Sequence, residues 1–474
     1  MSIDILPEEV LLTIFGCLAD GPPYAEKKAI ESWQSLVHVC RQWRSIVFGS
    51  PRRLNLRLVC TSRTPARDML DIWPTFPLVI LGNVFDTSGV NNIIAVLERS
   101  DRVCKIDLDF DPCLQLQKVS AAMRRPFPEL TSLKLCSGDG NDTTVSVLPD
   151  TFLCGSAPRL RDLRLIRIPF PGLPKLLLSA THLYDLTLYD IPHSGYFSPE
   201  AMVAALSALT SLEKFQLQFQ SPQSHPHRTS RRPPPLTRTV LPVLSQLTFE
   251  GVSEYLDDLV ARIDTPRLEM LYMDFFNQIL FDTPQLVQFI YRSQRLKAFE
   301  KARLTCSVDA ARVMLTRHSP SNIPFIYVEI PCKELDWQIS SLEQVFTLCL
   351  PPLSTLEDLY IDEDPDPNSD RKPDWQDNIE NSLWLELLHS FTTVKNLYIS
   401  EEFVRRVVPA LQELAGSRTT VLLPTLQNIF LEGLQPSGPV QEGIGHFAAM
   451  RQATGHPIMA SRWDKGSQEV DVDS

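Results

Sequence analysis

A short apolar pattern recurs along most of the chain beyond residue 54. It reads Leu-x-x-Leu-x-Leu, with Phe, Met, Ile or Val at some of the three apolar positions. The clearest copies begin at Leu130, Leu160, Leu183, Leu212, Leu244, Leu268, Leu356, Val394 and Leu426. Successive side chains of a strand face opposite sides of a sheet, so the spaced apolar residues face a core. Each copy therefore predicts a short strand that is half buried.

Helical patterns fill several of the intervals between these strands. The predicted helices span 201–209, 284–293, 308–317, 383–389 and 404–414. A strand and a helix that return every ~20–29 residues are the signature of a stacked repeat. The pattern resembles leucine-rich repeats, although the Asn or Cys which that family places after the strand is missing, for example at Gly138. The resemblance implies an α/β fold, a curved solenoid with a parallel sheet on its concave side. A βαβ sheet enzyme with leucine-rich strands is the alternative.

Two amphipathic helices are predicted before the repeats. Pro7 suits a first helical turn, and Glu8 and Glu9 follow where the helix dipole favours negative charge. The two apolar stripes are Val10, Leu11, Ile14, Phe15 and Leu18, and then Leu36, Val39, Cys40, Trp43, Ile46 and Val47. A unit of ~50 residues buries only about 60% of its surface. We therefore expect a partner protein to cover the surplus apolar surface.

The order of three short motifs in this segment resembles the F-box, or F-box-like, domain. The motifs are Leu6-Pro7-Glu8-Glu9-Val10, Ile14-Phe15-Gly16-Cys17-Leu18 and Val39-Cys40-Arg41-Gln42-Trp43. Helices of that family dock on the Skp-type adaptor of cullin-based SCF ubiquitin ligases. The resemblance implies adaptor-facing or supporting roles for Leu6, Pro7, Val10, Ile14, Leu18, Leu36, Val39, Cys40 and Trp43. The linker at 19–35 is longer than usual, and a helical cap with a chance match is the alternative.

Charge and cysteine content restrict the class of protein. The formal net charge is −12, and the first 54 residues are neutral, so the repeats carry the acidity. An acidic body argues against non-specific binding of nucleic acid or anionic membranes. The 10 cysteines are scattered without a Cys-x-x-Cys pair, which indicates reduced thiols in the cytoplasm or nucleus. We expect no signal peptide and no membrane span.

Catalytic and metal-binding patterns are missing from the sequence. The acidic run at 362–370 lacks the glycine and the glutamate that a calcium loop requires at its sixth and twelfth positions. His225 and His227 lie in a basic, proline-rich insertion at 221–238 that predicts an exposed loop. We expect no catalytic residue, no metal and no cofactor. A hydrolase built on an α/β sheet is the least favoured reading.

Outward-facing positions of the later strands combine aromatic rings with carboxylates. They are Tyr272, Asp274, Tyr360, Asp362, Tyr398 and Phe430. Such a mixture is typical of recognition surfaces, because the rings give contact area and the charges give selectivity. The pattern predicts that this face binds a segment of a partner that carries Lys or Arg.

These observations predict three regions. They are an F-box-like helical domain at 1–54, a leucine-rich-repeat-like solenoid at 55–440, and a C-terminal extension at 441–474 with a disordered acidic tail. The resemblance implies a non-catalytic substrate-recognition subunit of an SCF ubiquitin ligase, which binds the adaptor, through it cullin, and an unknown protein substrate. The alternative is an interaction scaffold that is not coupled to degradation.

Overall fold

The computed structural model describes most of the chain. The described residues are 6–19, 33–51, 53–63, 66–73, 75–111, 114–138, 147–223, 237–276, 281–317, 325–363, 380–414, 423–433 and 438–463. Most of the predicted linker, basic insertion, acidic run and C-terminal tail lie outside these residues. The chain divides into two compact units, residues 1–197 with 204–212, and residues 198–203 with 213–474.

The first unit begins with helices α1 (Glu8–Ala19) and α2 (Arg41–Gly49), with a helical turn at 33–37 between them. Pro7 precedes α1, and its carbonyl accepts the first intrahelical bonds, at 3.0 and 3.1 Å. Cys40 caps α2, because its sulfur accepts a hydrogen bond from the backbone N–H of Trp43 at 3.4 Å. The start of α2 therefore follows from a side-chain cap, whereas α1 begins after a proline whose fixed φ suits a first helical turn.

An aromatic cluster joins these helices to the first strand of the same unit. The Trp33 ring lies 5.2 Å from Trp73 and 5.3 Å from Phe76, measured between centroids. The indole N–H of Trp33 donates to the carbonyl of Arg57, which directly precedes that strand, at 2.9 Å. Edge-to-face aromatic packing of this kind adds ~0.5–1.5 kcal/mol per pair beyond area burial. The helices are thus anchored to the sheet through a packed contact.

Six parallel strands of the first unit lie side by side in chain order. They are β1 (Leu58–Cys60), β2 (Leu78–Val84), β3 (Val103–Phe110), β4 (Ser132–Ser137), β5 (Asp162–Ile166) and β6 (Asp185–Ile191). The helices are α3 (Ala66–Ile72), α4 (Thr87–Leu97), α5 (Leu114–Ala122) and α6 (Leu173–Leu177). Leu133, Leu163 and Leu186 align across three strands and are fully buried. The repeated leucines therefore stack into continuous columns of core.

Most strands of the second unit form one sheet. These strands are β7 (Lys214–Phe219), β9 (Gln246–Gly251), β11 (Met270–Phe275), β12 (Lys301–Cys306), β13 (Ala310–Thr316), β14 (Phe325–Pro331), β15 (Asp358–Glu363), β16 (Asn396–Ile399), β17 (Asn428–Glu432) and β18 (Met459–Trp463). Their order across the sheet is β7-β9-β11-β14-β13-β12-β15-β16-β17-β18. Strands β8 (Thr239–Val240) and β10 (Ile263–Asp264) form a separate parallel pair. Since β18 pairs with β17, the sheet extends past residue 440.

Helices lie between several pairs of successive strands here, as they do in the first unit. They are α7 (Pro199–Leu206), which contributes residues to both units, α8 (Ser253–Val260), α9 (Pro284–Arg292), α10 (Leu335–Gln344), α11 (Asn381–His389), α12 (Glu401–Leu414) and α13 (Pro439–Ala453). A π-helical turn, Val345–Cys349, continues α10. The prediction of an α/β repeat with N-terminal helices and a largely parallel sheet is confirmed. Within the described ranges, no helix is both long and apolar enough to cross a bilayer.

The predicted helix at 308–317 is wrong. This segment is strand β13, which runs antiparallel between β12 and β14. Ala, Arg, Met and Leu favour helices by intrinsic propensity, but burial here alternates with a period of two. Val313 and Leu315 are buried between less buried neighbours, so tertiary pairing decides the conformation.

A buried amide fixes this antiparallel insertion to the helix that follows it. The side-chain nitrogen of Gln338, on α10, donates to the carbonyl of Ser307 at 2.8 Å and to that of Cys332 at 2.6 Å. Ser307 lies just after β12, and Cys332 just after β14. Gln338 therefore ties two strand ends to one helix and satisfies backbone groups that the turn leaves unpaired.

Candidate protein-interaction surfaces

The N-terminal helices have a small core of their own. Leu11 and Phe15 are fully buried on one side of α1. The Phe15 ring packs against Trp43 of α2, with centroids 4.7 Å apart. Leu36 is also buried. Leu36 and Trp43, two of the predicted adaptor residues, thus support the internal packing, and Cys40 acts as the cap of α2.

Other apolar side chains of the same helices face solvent. Val10 is 42% exposed, Ile14 is 40% exposed and Val39 is 57% exposed. Val10 and Ile14 are four residues apart, so they share one face of α1. Pro7 is exposed just before that helix, and Leu6 is half buried. The side chain of Leu18 lies outside the described part of the chain. An exposed apolar helix face of this kind marks a protein-interaction site.

The second unit carries a row of aromatic side chains across the open face of its sheet. We use the term open face for the side of the sheet formed by the strand residues that alternate with the buried apolar residues. Register places one residue of each of seven neighbouring strands side by side: Tyr272, Tyr327, Met314, Arg303, Tyr360, Tyr398 and Phe430. We call this set the aromatic row. At ~4.8 Å between strands, it spans about 29 Å.

Rings within the aromatic row stack on one another. Tyr272 and Tyr327 are 4.5 Å apart between centroids and inclined by 13°. Tyr360 lies 4.3 Å from Tyr398, which lies 4.5 Å from Phe430. Trp463 of β18 packs edge-on against both Tyr360 and Tyr398, at 6.0 and 5.5 Å. The row is therefore two rigid aromatic stacks, separated by Met314 and Arg303 on the strands between them.

Carboxylates occupy the next outward position along several of these strands. We define the acidic row as Glu250, Asp274, Glu329, Asp362 and Glu432. Two arginines neutralise part of it. Arg312 lies 3.1 Å from Glu329, and Arg303 lies 3.3 Å from Asp362. The open face of the second unit therefore combines aromatic area with an excess of negative charge.

Within the acidic row, Glu329 accepts several hydrogen bonds, whereas Asp274 has an oxygen that accepts none from the described residues. The hydroxyls of Tyr272 and Tyr327 both donate to Oε2 of Glu329, at 3.2 and 2.8 Å. Arg312 donates to the other oxygen of Glu329 at 3.1 Å. Among the described residues, Oδ1 of Asp274 has no hydrogen-bond partner. Both oxygens of Glu329 therefore accept hydrogen bonds from neighbouring side chains, whereas the buried Oδ1 of Asp274 accepts none from the described residues.

Burial, together with the negative charges of Glu329 and Glu250, raises the pKa of Asp274 from 3.8 to about 7, and Arg312 opposes the shift. Burial, with Glu329 as the second cause, also raises the pKa of both Tyr272 and Tyr327, so their hydroxyls remain donors. Asp274 therefore ionises with difficulty in the free protein, and a cation placed beside it would favour its charged form.

Replacing Asp274 with asparagine should stabilise the protein more at alkaline than at acid pH. Because the folded-state pKa lies above the unfolded value, the protonated carboxyl contributes stability that is full below pH 3.8 and is lost as pH rises through about 7. Asparagine has no charge to form, so we expect a gain of about 1–2 kcal/mol at pH 8.5, allowing for solvent screening, and a smaller gain, about a third of that, at pH 5.

Urea denaturation at both pH values measures this difference. Asp282→Asn changes an exposed carboxylate of the same unit and serves as the control. An equal effect of Asp274→Asn at pH 5 and pH 8.5 would contradict the assignment.

The structure distributes the predicted substrate residues over two environments. Tyr272, Asp274, Tyr398 and Phe430 are half buried on the open face. Tyr360 is only 6% exposed and Asp362 only 1%, so they support the surface from below. Four residues that complete the stacks and ion pairs were not among the predicted ones: Tyr327, Glu329, Arg303 and Trp463. Apolar and polar residues alternate at 325–330, and this alternation could have indicated that Tyr327 and Glu329 face outward from a strand. No group of histidine, cysteine or carboxylate side chains in the described ranges could hold a metal ion.

Comparison with known proteins identifies the first segment. Residues 3–57 match the F-box-like family. No curated protein matches the chain. Among solved structures, the leucine-rich repeat-containing protein LegL7 from Legionella pneumophila is similar at 13% identity and a TM-score of 0.26, over 83% of this chain and 98% of that one.

The F-box-like segment and the repeated strand and helix units support a protein-interaction role. The chain carries an F-box-like domain at 3–57, followed by leucine-rich-repeat-like units of strand and helix. F-box domains typically bind Skp-type adaptors, and scaffolds of both kinds are typically non-catalytic. The resemblance read from the three N-terminal motifs is confirmed.

Proposed function

We propose that this protein is the substrate-recognition subunit of an SCF-type ubiquitin ligase. The observation that carries the proposal is the solvent-exposed apolar face of α1, formed by Val10 and Ile14 within the F-box-like segment. In the described part of that segment, Leu11, Phe15 and Leu36 belong to the buried core, whereas Val10 and Ile14 stay outside it. A partner that covers them gains ~25 cal/mol for each Å² of apolar surface removed from water.

Adaptor contacts are assigned to the exposed members of the predicted set. Pro7, Val10, Ile14 and Val39 contact the adaptor in this proposal, whereas Leu36, Cys40 and Trp43 hold the helices in place. A buried, well-packed support is what allows a few exposed apolar residues to act as anchors. The adaptor then connects the chain to cullin.

The repeat region supplies the second binding function. Its open face in the second unit holds a protein substrate, and ubiquitin transfer is carried out by other subunits of the ligase. The chain contributes by keeping the substrate at high effective concentration near the transferring enzyme. It acts without a metal or cofactor of its own. In this proposal the protein acts where the ligase acts, in the cytoplasm and the nucleus.

Reconstitution from purified components tests the proposal. The full-length chain is mixed with a Skp-type adaptor, and then with the adaptor–cullin complex, and assemblies are separated by size-exclusion chromatography. We expect co-elution in both cases. A folded chain that binds no adaptor would refute the proposal. A chain that binds adaptor but is excluded from the adaptor–cullin complex would instead support a scaffold that is not coupled to degradation.

A further inference from the structure

The stacked Tyr272–Tyr327 pair and the neighbouring carboxylates form a recognition surface of defined chemistry. We propose that this part of the open face binds an arginine side chain in a basic segment of a partner protein. The inference rests on the proposed function only in taking that partner to be the substrate. The arginine lies against the face of Tyr272 that is turned away from Tyr327, and it directs its guanidinium towards Asp274.

Tyr327 and Glu329 hold the ring of Tyr272 in place. Tyr327 stacks on one face of that ring, and both hydroxyls donate to Glu329, so neither side chain can swing away without breaking a charge-assisted hydrogen bond. The two rings are nearly parallel and remain partly exposed. A preformed aromatic surface stabilises a cation through its π electrons, and it loses little side-chain entropy on binding. A planar guanidinium fits such a surface better than a compact ammonium group.

Asp274 supplies the complementary charge. It lies beside Glu250 and Glu329 in register, and its side chain is only half buried, although its Oδ1 is buried and lacks a hydrogen-bond donor within the described ranges. A bound guanidinium offers several N–H donors in a fixed fork, which suits a carboxylate with unused acceptor capacity. The excess of carboxylates along the acidic row excludes an anionic partner from this face, and nucleic acid in particular.

The same sheet already holds one of its own arginines in this manner. The guanidinium carbon of Arg303 lies 5.3 Å from the centroid of the Tyr360 ring. Nε of Arg303 lies 3.3 Å from a carboxylate oxygen of Asp362. An aromatic ring and a carboxylate at successive outward positions of a strand, two residues apart, thus bind one guanidinium. Tyr272 and Asp274 repeat that spacing on β11, and the residue in register with Tyr272 on β9 is Thr248, where β12 places Arg303 beside Tyr360.

A peptide with a neutral counterpart tests the inference directly. The probe is a short fluorescein-labelled peptide of alanine and glycine with two arginines. Its matched control carries citrulline, which keeps the shape but lacks the charge. Fluorescence anisotropy with the full-length chain at pH 8 should show binding of the arginine peptide that is at least tenfold tighter than that of the citrulline peptide. A lysine peptide should bind with intermediate affinity.

Two variants locate the binding site. Asp274→Asn and Tyr272→Ala should each weaken the arginine peptide about tenfold, whereas Asp282→Asn should leave its affinity unchanged. Circular dichroism verifies that each variant is folded. Equal affinity for the arginine and citrulline peptides, or no effect of Asp274→Asn, would overturn the inference.

Adaptor capture by the same preparations separates this inference from the proposed function. Loss of arginine recognition with adaptor binding intact rejects only the arginine site. Failure to bind adaptor with arginine recognition intact rejects only the ligase assignment.

Discussion

Replacing Val10 and Ile14 together with aspartate is expected to weaken adaptor binding at least 100-fold, or ~2.7 kcal/mol. Both side chains lie on the exposed face of α1, where they would become the centre of an apolar interface. Two buried, unpaired carboxylates at that interface would carry a large desolvation penalty. Because both positions face water in the free protein, the helix itself should remain folded.

Surface plasmon resonance against an immobilised Skp-type adaptor measures the loss. Asn91→Asp combined with Gln117→Asp adds the same charge at exposed positions of α4 and α5 and should leave adaptor affinity unchanged. Trp43→Ala provides a contrast, because it removes the ring that packs on Phe15 and should reduce helix content as well as binding. Undiminished adaptor binding by the double aspartate variant would place the interface elsewhere.

Replacing Asp257 with alanine is expected to destabilise the protein by about 2–4 kcal/mol. Asp257 is buried on α8, and its Oδ1 accepts hydrogen bonds from the backbone N–H groups of Gln285 and Leu286, both at 2.9 Å. These groups lie in the first turn of α9, whose own N-cap residue, Thr283, makes no capping bond. One repeat therefore caps the helix of the next, and truncation leaves two buried donors unsatisfied.

Urea denaturation monitored by circular dichroism gives the change in the free energy of unfolding. Asp257→Asn keeps a hydrogen-bond acceptor and should lose only about half as much stability. Glu254→Ala, which removes a less buried carboxylate from the same helix, should change stability by less than about 0.5 kcal/mol. Wild-type stability in Asp257→Ala would show that the cap is dispensable.

Local sequence pattern was enough to predict most of the repeat architecture. The Leu-x-x-Leu-x-Leu copies specify which side chains are buried, and that alternation fixes a strand and its orientation without knowledge of its neighbours. The strand at Ser132–Ser137 and the helix at Pro284–Arg292 follow directly from such patterns. The F-box-like segment was recognisable because its motifs combine capping residues with two apolar stripes.

Features that depend on strand order could not be predicted in this way. The segment at 308–317 has good helix formers, and its place as a strand is decided by pairing with β12 and β14. Trp463 reaches the tyrosine stack only because β18 joins the edge of the sheet. Periodicity likewise could not separate Val10, which is exposed, from Leu11, which is buried, since both lie on a wide apolar stripe. Three-dimensional packing determines each of these outcomes.

The reversed strand order around β13 has a consequence for cooperativity. An array in which each repeat contacts only its sequence neighbours can fray from one end, one repeat at a time. Here β14 lies beside β11, whereas β12, which precedes it in the chain, lies beside β15. Opening β15 deprives β12 of a neighbour, and the loss of β12 then deprives β13 and in turn β14. We expect β12, β13 and β14 to open together, because antiparallel pairing joins each of them to the next, so the Tyr272–Tyr327 pair should stay intact when only the strands from β15 onward open.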